Sequence, residues 1–229
     1  MSGTYLLSLL QLADPMLPIG GYTHSNGLET YVQLGPVKDK SSAADFVQHM
    51  LASNILYNDA AFVSLAYDAT AIGELDELLA LDEECTALKG PREIREASEK
   101  LGLRLLKIFR RLTRYDLALA YEEAIQQGEA RGHYGIAFGI LAQLLNIPKT
   151  EALMAFYYNA AAGMVTNAVK LVPLGQMDGQ EILFSLQEPL RQLVGQTLEL
   201  DRSLVGVCNI GFDIRCMQHE RLYSRLYMS

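Results

Sequence analysis

The segment PREIREASEKLGLRLLKIFRRLTR, residues 91–114, decides the fold class of this chain. Its apolar side chains recur at spacings of 3, 4, 4, 3 and 4 residues, close to the 3.6-residue period of an α-helix. The apolar positions are Ile94, Ala97, Leu101, Leu105, Ile108 and Leu112, and the opposite side carries Arg104, Lys107, Arg111 and Arg114. The pattern predicts an amphipathic helix of about six turns with one face against a core.

The rest of the chain continues this helical pattern. Helices are predicted at Tyr5–Leu12, from Ser25 or Asn26 to Gln33, from a capping box at Ser42–Asp45 to about Tyr67, and at Asp76–Leu88, Asp116–Gln127, Tyr134–Leu145, Glu151–Leu171 and Glu181–Leu200. No alternating strand pattern competes with them. We therefore predict one all-α domain over residues 1–229, a bundle of about nine or ten helices, with residues 212–229 as a C-terminal partner-binding tail.

The composition is that of an ordinary globular protein, because 50% of the 229 residues are hydrophobic and 20% are charged. The three cysteines lack CxxC spacing, which favours a reducing, cytoplasmic compartment. No signal peptide is evident. The longest uncharged run, Ala152–Val169, contains Asn159, Thr166 and Asn167, and a buried helix explains it better than a membrane span.

The charge is divided unevenly along the chain. The net charge is −8, and residues 1–88 hold two basic against twelve acidic side chains, whereas residues 92–114 hold eight basic against three acidic. So acidic a protein is not expected to bind nucleic acid. The basic face of residues 104–114 is interpreted either as solubilising surface or as a contact for an acidic protein.

Few side chains suggest catalysis or metal binding. Cys216 and His219 are spaced to share one helix face, but two ligands do not close a metal site. The acidic cluster at residues 74–84 is interpreted as a solvated face. No phosphate-binding loop or nucleophile elbow is present. We predict no catalytic residue, no cofactor and no resident metal.

Two internal segments suggest contact surfaces instead. Residues 18–29, PIGGYTHSNGLE, place three glycines and an aromatic in a loop that enters a helix, which suits close approach by another chain. The candidate docking residues here are Gly20, Gly21, Tyr22, His24, Ser25 and Glu29. In the second segment, Lys170 ends an otherwise uncharged helix, where it can complement the helix C-terminus or meet a partner.

The last eleven residues, HERLYSRLYMS, are unusually apolar for a chain terminus. If they are helical, their apolar side chains form one stripe beside two arginines. The candidate docking residues are His219, Arg221, Leu222, Tyr223, Arg225, Leu226 and Tyr227. Two uses stay open: the tail docks on its own domain, or it anchors a partner, since tyrosine and arginine dominate binding energy. We expect it to be mobile alone and ordered in a complex.

Four motifs in order give the chain a family resemblance. They are LPIGGYTHSNGLE at residues 17–29, HYGIAFG at residues 133–139, VKLVPLGQMDGQ at residues 169–180, and the tail at residues 219–229. With these motifs the chain resembles, over essentially its whole length, the UreF family of urease accessory proteins. One departure is Gly135, where many relatives carry proline, and this makes the start of that helix more flexible.

The resemblance implies a non-enzymatic chaperone of urease maturation. Family members form homodimers and bind the accessory protein UreH, also called UreD, through regions that include the C-terminal segment. The resulting platform recruits the GTPase UreG and brings nickel delivery to apo-urease. By matching position, Tyr22 and Arg225 are implied in GTPase recruitment, and Lys170 follows them. The alternative is a GTPase-activating protein that inserts Arg225 or Arg221 into its partner's active site.

Overall fold

The computed structural model describes residues 5–228, apart from the side chain of Tyr22, and this part of the chain is helical and contains no strand. The prediction of a single all-helical bundle is confirmed. The helices are α1 (Leu6–Leu12), α2 (Leu28–Gln33), α3 (Lys40–His49), α4 (Ala61–Ile72), α5 (Leu75–Leu88), α6 (Arg92–Leu112), α7 (Asp116–Gln127), α8 (Tyr134–Leu144), α9 (Lys149–Leu171), α10 (Gln176–Ser185), α11 (Gln187–Leu198) and α12 (Ile210–His219). A π-helical segment, Met50–Ala60, joins α3 to α4 without a break, and 3-10 turns lie at Gly21–Thr23 and Arg202–Leu204.

Helix α8 is the centre of the bundle, because every residue from 135 to 142 is buried. It packs most closely against α4. A methyl group added at Gly139 would lie 2.5 Å from the carbonyl oxygen of Val63, so only glycine lets the two backbones meet there. Phe138 stacks edge-on against Phe156 of α9, with ring centroids 5.1 Å apart. These contacts fix α4, α8 and α9 relative to one another.

A buried carboxylate orders the loop that enters α8. Asp82 of α5 is fully buried and accepts a hydrogen bond from the Tyr121 hydroxyl at 2.5 Å. It also accepts the backbone N–H groups of Gly132 and His133 at 3.0 and 3.1 Å. Such charge-assisted bonds offset the free-energy cost of burying the carboxylate. Burial and the Asp82 charge raise the pKa of Tyr121, which therefore stays a donor.

Helix α6 confirms the predicted amphipathic helix. Ala97 and Leu105 are buried as expected, while Leu112 is exposed at the helix end. The helix approaches the loop before α8 at Gly102, where an added methyl group would lie 2.1 Å from the carbonyl oxygen of Gly132. This contact holds α6 firmly on the bundle. Its N-terminal and middle turns carry the candidate docking site described below.

Three predicted boundaries are wrong. The segment 181–200 is not one helix, because α10 ends at Ser185 and α11 begins at Gln187, with Leu186 turning the chain between them. The predicted capping box at Ser42 is shifted, because Asp39 is the N-cap and Ser42 is its partner, with Ser42 N donating to Asp39 Oδ1 at 2.9 Å. Residues 220–228 are not helical.

The long uncharged run lies in α9 and is packed in the core through Phe156, Tyr157, Ala161 and Val165. Among residues 5–228, no helix is both long enough and apolar enough to cross a membrane.

The three cysteines are free thiols: Cys85 and Cys216 are buried and Cys208 is exposed.

Candidate protein-docking site

The glycine loop, residues 18–27, bends because two of its glycines adopt left-handed backbone conformations. Gly20 has φ +89° and Gly27 has φ +77°, a region that L side chains rarely occupy. A methyl group at Gly20 would lie 2.2 Å from Nη1 of Arg104, and one at Gly27 would lie 2.8 Å from Sγ of Cys216. Glycine is therefore required at both positions, since α6 and α12 press against the loop there.

Three other elements hold the loop by its carbonyl oxygens. Arg104 of α6 donates to Ile19 O at 2.9 Å, and Asn167 of α9 donates to His24 O at 2.8 Å. The backbone N–H of Met228 donates to Thr23 O at 2.9 Å. Because these bonds come from three separate parts of the chain, the loop conformation depends on α6, α9 and the C-terminal tail together.

Glu29, at the start of α2, binds the tail directly. Its side chain is buried and accepts the N–H of Leu226 at 2.8 Å and the N–H of Tyr227 at 3.2 Å. In a helix these amides would donate to carbonyl oxygens four residues earlier. Because Glu29 takes the two amides, the predicted helical stripe at Leu222, Tyr223, Leu226 and Tyr227 does not form, and Tyr227 alone of these four side chains is buried.

His219 and Arg225 connect the tail to α6. His219 is fully buried, with Nε2 lying 3.2 Å from Glu29 and Nδ1 lying 2.8 Å from Glu93. The ring donates to both carboxylates only when both nitrogens carry protons. Arg225 forms an ion pair with Glu93 at 2.6 Å. Glu29, Glu93, His219 and Arg225 thus form one cluster that docks the tail beside the glycine loop.

Self-docking is therefore the tail arrangement that the structure adopts, and it divides the predicted docking residues into two groups. The exposed residues are Gly21, Lys170, Arg221, Tyr223, Arg225 and Leu226. The buried residues are Gly20, His24, Ser25, Glu29, His219 and Tyr227, and Leu222 is half-buried. The side chain of Tyr22 lies outside the described part of the chain. The buried residues support the conformation of the loop and the tail, and the exposed residues are accessible to a partner.

Burial and charge also set the acid–base properties of the site. Burial, reinforced by the positive charges of Lys100 and Arg104, lowers the pKa of His24. Burial also raises the pKa of the Cys216 thiol, which weakens it as a metal ligand. Because both ring nitrogens of His219 face glutamates, Cys216 and His219 are not arranged to share a metal. In the described residues, no three His, Cys, Asp or Glu side chains are grouped to hold a metal ion.

Sequence reasoning missed an exposed apolar face on α12. Ile210 is 67% exposed, Ile214 49% and Met217 48%. Their spacing, i, i+4 and i+7, is a helical signal that was available in the sequence. The other face of α12 buries Phe212 and Cys216 against the glycine loop and its surroundings. The exposed side chains of α12, together with Tyr223 and Leu226 of the tail, are referred to below as the C-terminal surface.

The chain matches known proteins along nearly its whole length. The family model described as UreF matches residues 37–187. A urease accessory protein UreF of Actinobacillus pleuropneumoniae is 54% identical over 97% of this chain and 98% of its own length. A urease accessory protein UreF of Haemophilus influenzae is 50% identical over 99% of this chain and 96% of its own, and one from an Arthrobacter species is 35% identical over 100% and 99%.

These matches define the class as accessory proteins of urease. The chain belongs to the UreF family, which confirms the resemblance seen in its four motifs. The glycine loop and the tail lie outside the residues that the family model matches. Relatives whose matches cover 99% and 100% of this chain extend the similarity to both segments.

Proposed function

We propose that this protein is a non-enzymatic chaperone of urease maturation that, with UreH/UreD, forms a platform recruiting the GTPase UreG for nickel insertion into apo-urease. One observation carries the proposal: the tail and the glycine loop are held in one structure. Glu29 binds the tail amides, and Met228 of the tail binds Thr23 O in the loop. A partner that binds the tail therefore also affects the loop.

The C-terminal surface is the proposed contact for UreH/UreD. Exposed apolar side chains on one helix face mark protein contact sites when they lie together. Ile210, Ile214 and Met217 provide such a face, and Tyr223, four residues after the end of α12, is fully exposed on the tail. Burial of these side chains by a partner would stabilise the docked tail, because the tail would then lie between the partner and its own domain.

The glycine loop is the proposed contact for the GTPase UreG. Gly21 is exposed, and the adjacent Tyr22 is the residue implied by the family resemblance. Lys170 lies in the last turn of α9, one turn beyond Asn167, which binds His24 O in the loop. The position of Lys170 in this turn supports its assignment as a contact for a partner that approaches the loop. Arg225 contributes through its ion pair with Glu93, which holds the tail in place.

We also propose a symmetric homodimer, since two-fold association is the commonest closed symmetry. Helix α1 leaves three leucines exposed, of which Leu7 is 78% exposed, and a second copy is the proposed cover for them.

The second candidate function is an arginine finger for the GTPase. Arg221 is exposed and forms no ion pair among the described residues, so it is free to reach a nucleotide, whereas Arg225 is held by Glu93. A finger needs the planar guanidinium, so Arg221→Lys should then abolish stimulated GTP turnover. If the protein acts as an assembly chaperone instead, the GTP turnover of the partner GTPase should be the same with Arg221→Lys as with the wild-type protein.

Co-expression with UreH/UreD, UreG and apo-urease tests the proposal. The wild-type protein should co-purify with the chaperone and the GTPase, and should activate urease. Tyr22→Ala should leave folding and chaperone binding unchanged and weaken GTPase recruitment by roughly 2 kcal/mol or more. Failure of the wild-type protein to bind either partner, or normal GTPase recruitment by Tyr22→Ala, would contradict the respective assignments.

A further inference from the structure

We infer that the docking surface around the glycine loop extends onto α6 and takes a carboxylate-rich protein surface. The basic face is defined here as Lys100, Arg104, Lys107 and Arg111. The inference rests on the proposed function, because the partner is the one that the glycine loop recruits. It adds the chemistry by which that partner is recognised.

The basic face is continuous with the glycine loop. Arg104 lies in the middle of the face and donates to Ile19 O at 2.9 Å, so the loop crosses α6 at this residue. Lys100 lies one turn before Arg104, and its charge, like that of Arg104, acts on His24 of the loop. Lys107 and Arg111 follow at about 4.5 and 10.5 Å along the helix axis. A partner that covers the loop therefore also reaches this helix face.

Three of the four cations on this face, Arg104, Lys107 and Arg111, form no ion pair among residues 5–228, although the charge of Lys107 also acts on Glu122 of α7. Within residues 5–228, Lys100 pairs only with Glu96, one turn away on the same helix and 3.5 Å distant. Arg104 binds a carbonyl oxygen, which leaves its charge unpaired. Among residues 5–228, Lys107 and Arg111 form no ion pair, although the neighbouring Arg110 pairs with Glu122 at 3.3 Å. In a chain of net charge −8, this is a local concentration of positive charge.

A carboxylate-rich protein surface fits these features better than a nucleic acid. The cations lie along a single helix face beside a loop that offers its backbone, which suits a folded partner with a few well-placed carboxylates. A polyanionic duplex would meet the repulsion of the whole acidic protein. Arg104 acts as a positioning residue, because it binds the loop, whereas Lys107 and Arg111 face the partner.

Charge reversal tests the inference. Lys107→Glu/Arg111→Glu is compared with Lys38→Glu/Arg191→Glu, which makes the same change in net charge at exposed sites outside α6 and the glycine loop. The affinity of the purified GTPase for the complex of this protein with its partner chaperone is measured at low and high salt. The basic-face variant should bind at least about tenfold more weakly, and its affinity should depend less on salt. The control should bind like the wild-type protein.

The outcomes separate this inference from the proposed function. If wild-type protein recruits the GTPase and Tyr22→Ala weakens recruitment, but the basic-face variant binds normally, the inference is wrong and the proposed function stands. An equal loss in the control variant would show an effect of overall charge and also overturn it. If the basic-face variant binds the GTPase normally but binds a DNA duplex more weakly than the wild-type protein does, the face serves nucleic acid instead and the inference is wrong. If wild-type protein recruits no GTPase, both fail together.

Discussion

Two buried carboxylates, those of Asp82 and Glu29, order segments of this protein that are not helical. Asp82 accepts the backbone amides of residues 131–133, and Glu29 accepts those of Leu226 and Tyr227. In both cases a carboxylate on one helix satisfies backbone donors of a distant segment. Removing such an acceptor leaves buried donors unpaired, which costs more free energy than the hydrogen bonds contribute.

Glu29→Ala should release the tail while leaving the bundle folded. The amides of Leu226 and Tyr227 lose their acceptor, and His219 loses one of its two carboxylates. We expect the free energy of unfolding to fall by roughly 1–3 kcal/mol. Hydrogen exchange should show loss of protection at the two amides. Glu29→Gln, which keeps one acceptor oxygen, should have a smaller effect. Unchanged protection in Glu29→Ala would show that the tail is held by other contacts.

His133 should make stability depend on pH. Burial lowers its pKa from 6.5 to about 4, so the folded state binds its proton less readily than the unfolded state. The contribution of neutral His133 to the free energy of unfolding is therefore complete above pH 6.5, and it is lost as the pH falls from 6.5 to about 4. We expect the wild-type protein to lose roughly 2–3 kcal/mol more than His133→Gln between these limits. Parallel pH profiles from urea denaturation would contradict this.

The contact between α4 and α8 depends on glycine. Gly139→Ala places a methyl group 2.5 Å from Val63 O, and backbone must move to admit it. The substitution should destabilise the fold by roughly 1–3 kcal/mol. Gly195→Ala in α11 is the control, because no atom of the described residues lies within 4 Å of its added methyl group. That variant should gain up to about 1 kcal/mol from helix propensity. Thermal denaturation of both variants checks the sign of each change.

The bounds of a helix were predictable where its apolar residues follow the helical period and breaker residues flank it. In α6 and α7 the apolar spacing and the flanking breakers gave nearly the observed bounds. The tail has equally good helical spacing, yet it is not a helix, because Glu29 binds its amides from 197 and 198 residues away along the chain. Local periodicity contains no information on such a distant acceptor.

The candidate site was predictable only where its features depend on the local sequence. Its glycines marked the loop, since left-handed turns and close contacts require them. The side chains that hold the loop were not recognisable, because Arg104 looks like any exposed arginine and Asn167 like any polar residue in a helix. The α12 face was recognisable from its spacing.

The assembly state should follow from α1. Leu6, Leu7 and Leu10 are exposed together on this helix, and we expect them to be covered in a two-fold dimer. Light scattering at micromolar concentration should give a dimer for the wild-type protein and a monomer for Leu7→Glu. Ile72→Glu, a change at an equally exposed apolar residue of α4, should remain dimeric. A wild-type monomer, both alone and with its partner chaperone, would contradict the proposal.

The protein as a whole is a helical bundle in which the docked tail connects the C-terminal surface to the glycine loop. The most direct test is binding of UreH/UreD by the full-length chain and by a chain that lacks its last ten residues. Residues 220–228 contact the bundle through Glu29, Glu93 and the loop, and also through an ion pair of Glu220 with Arg92 and a hydrogen bond from Gln33 to Ser224 O. Because these contacts lie outside the buried core around α8, the truncated chain should keep its helical content. Truncation should abolish the complex and urease activation, and full binding by the folded truncated chain would contradict the proposed role of the tail.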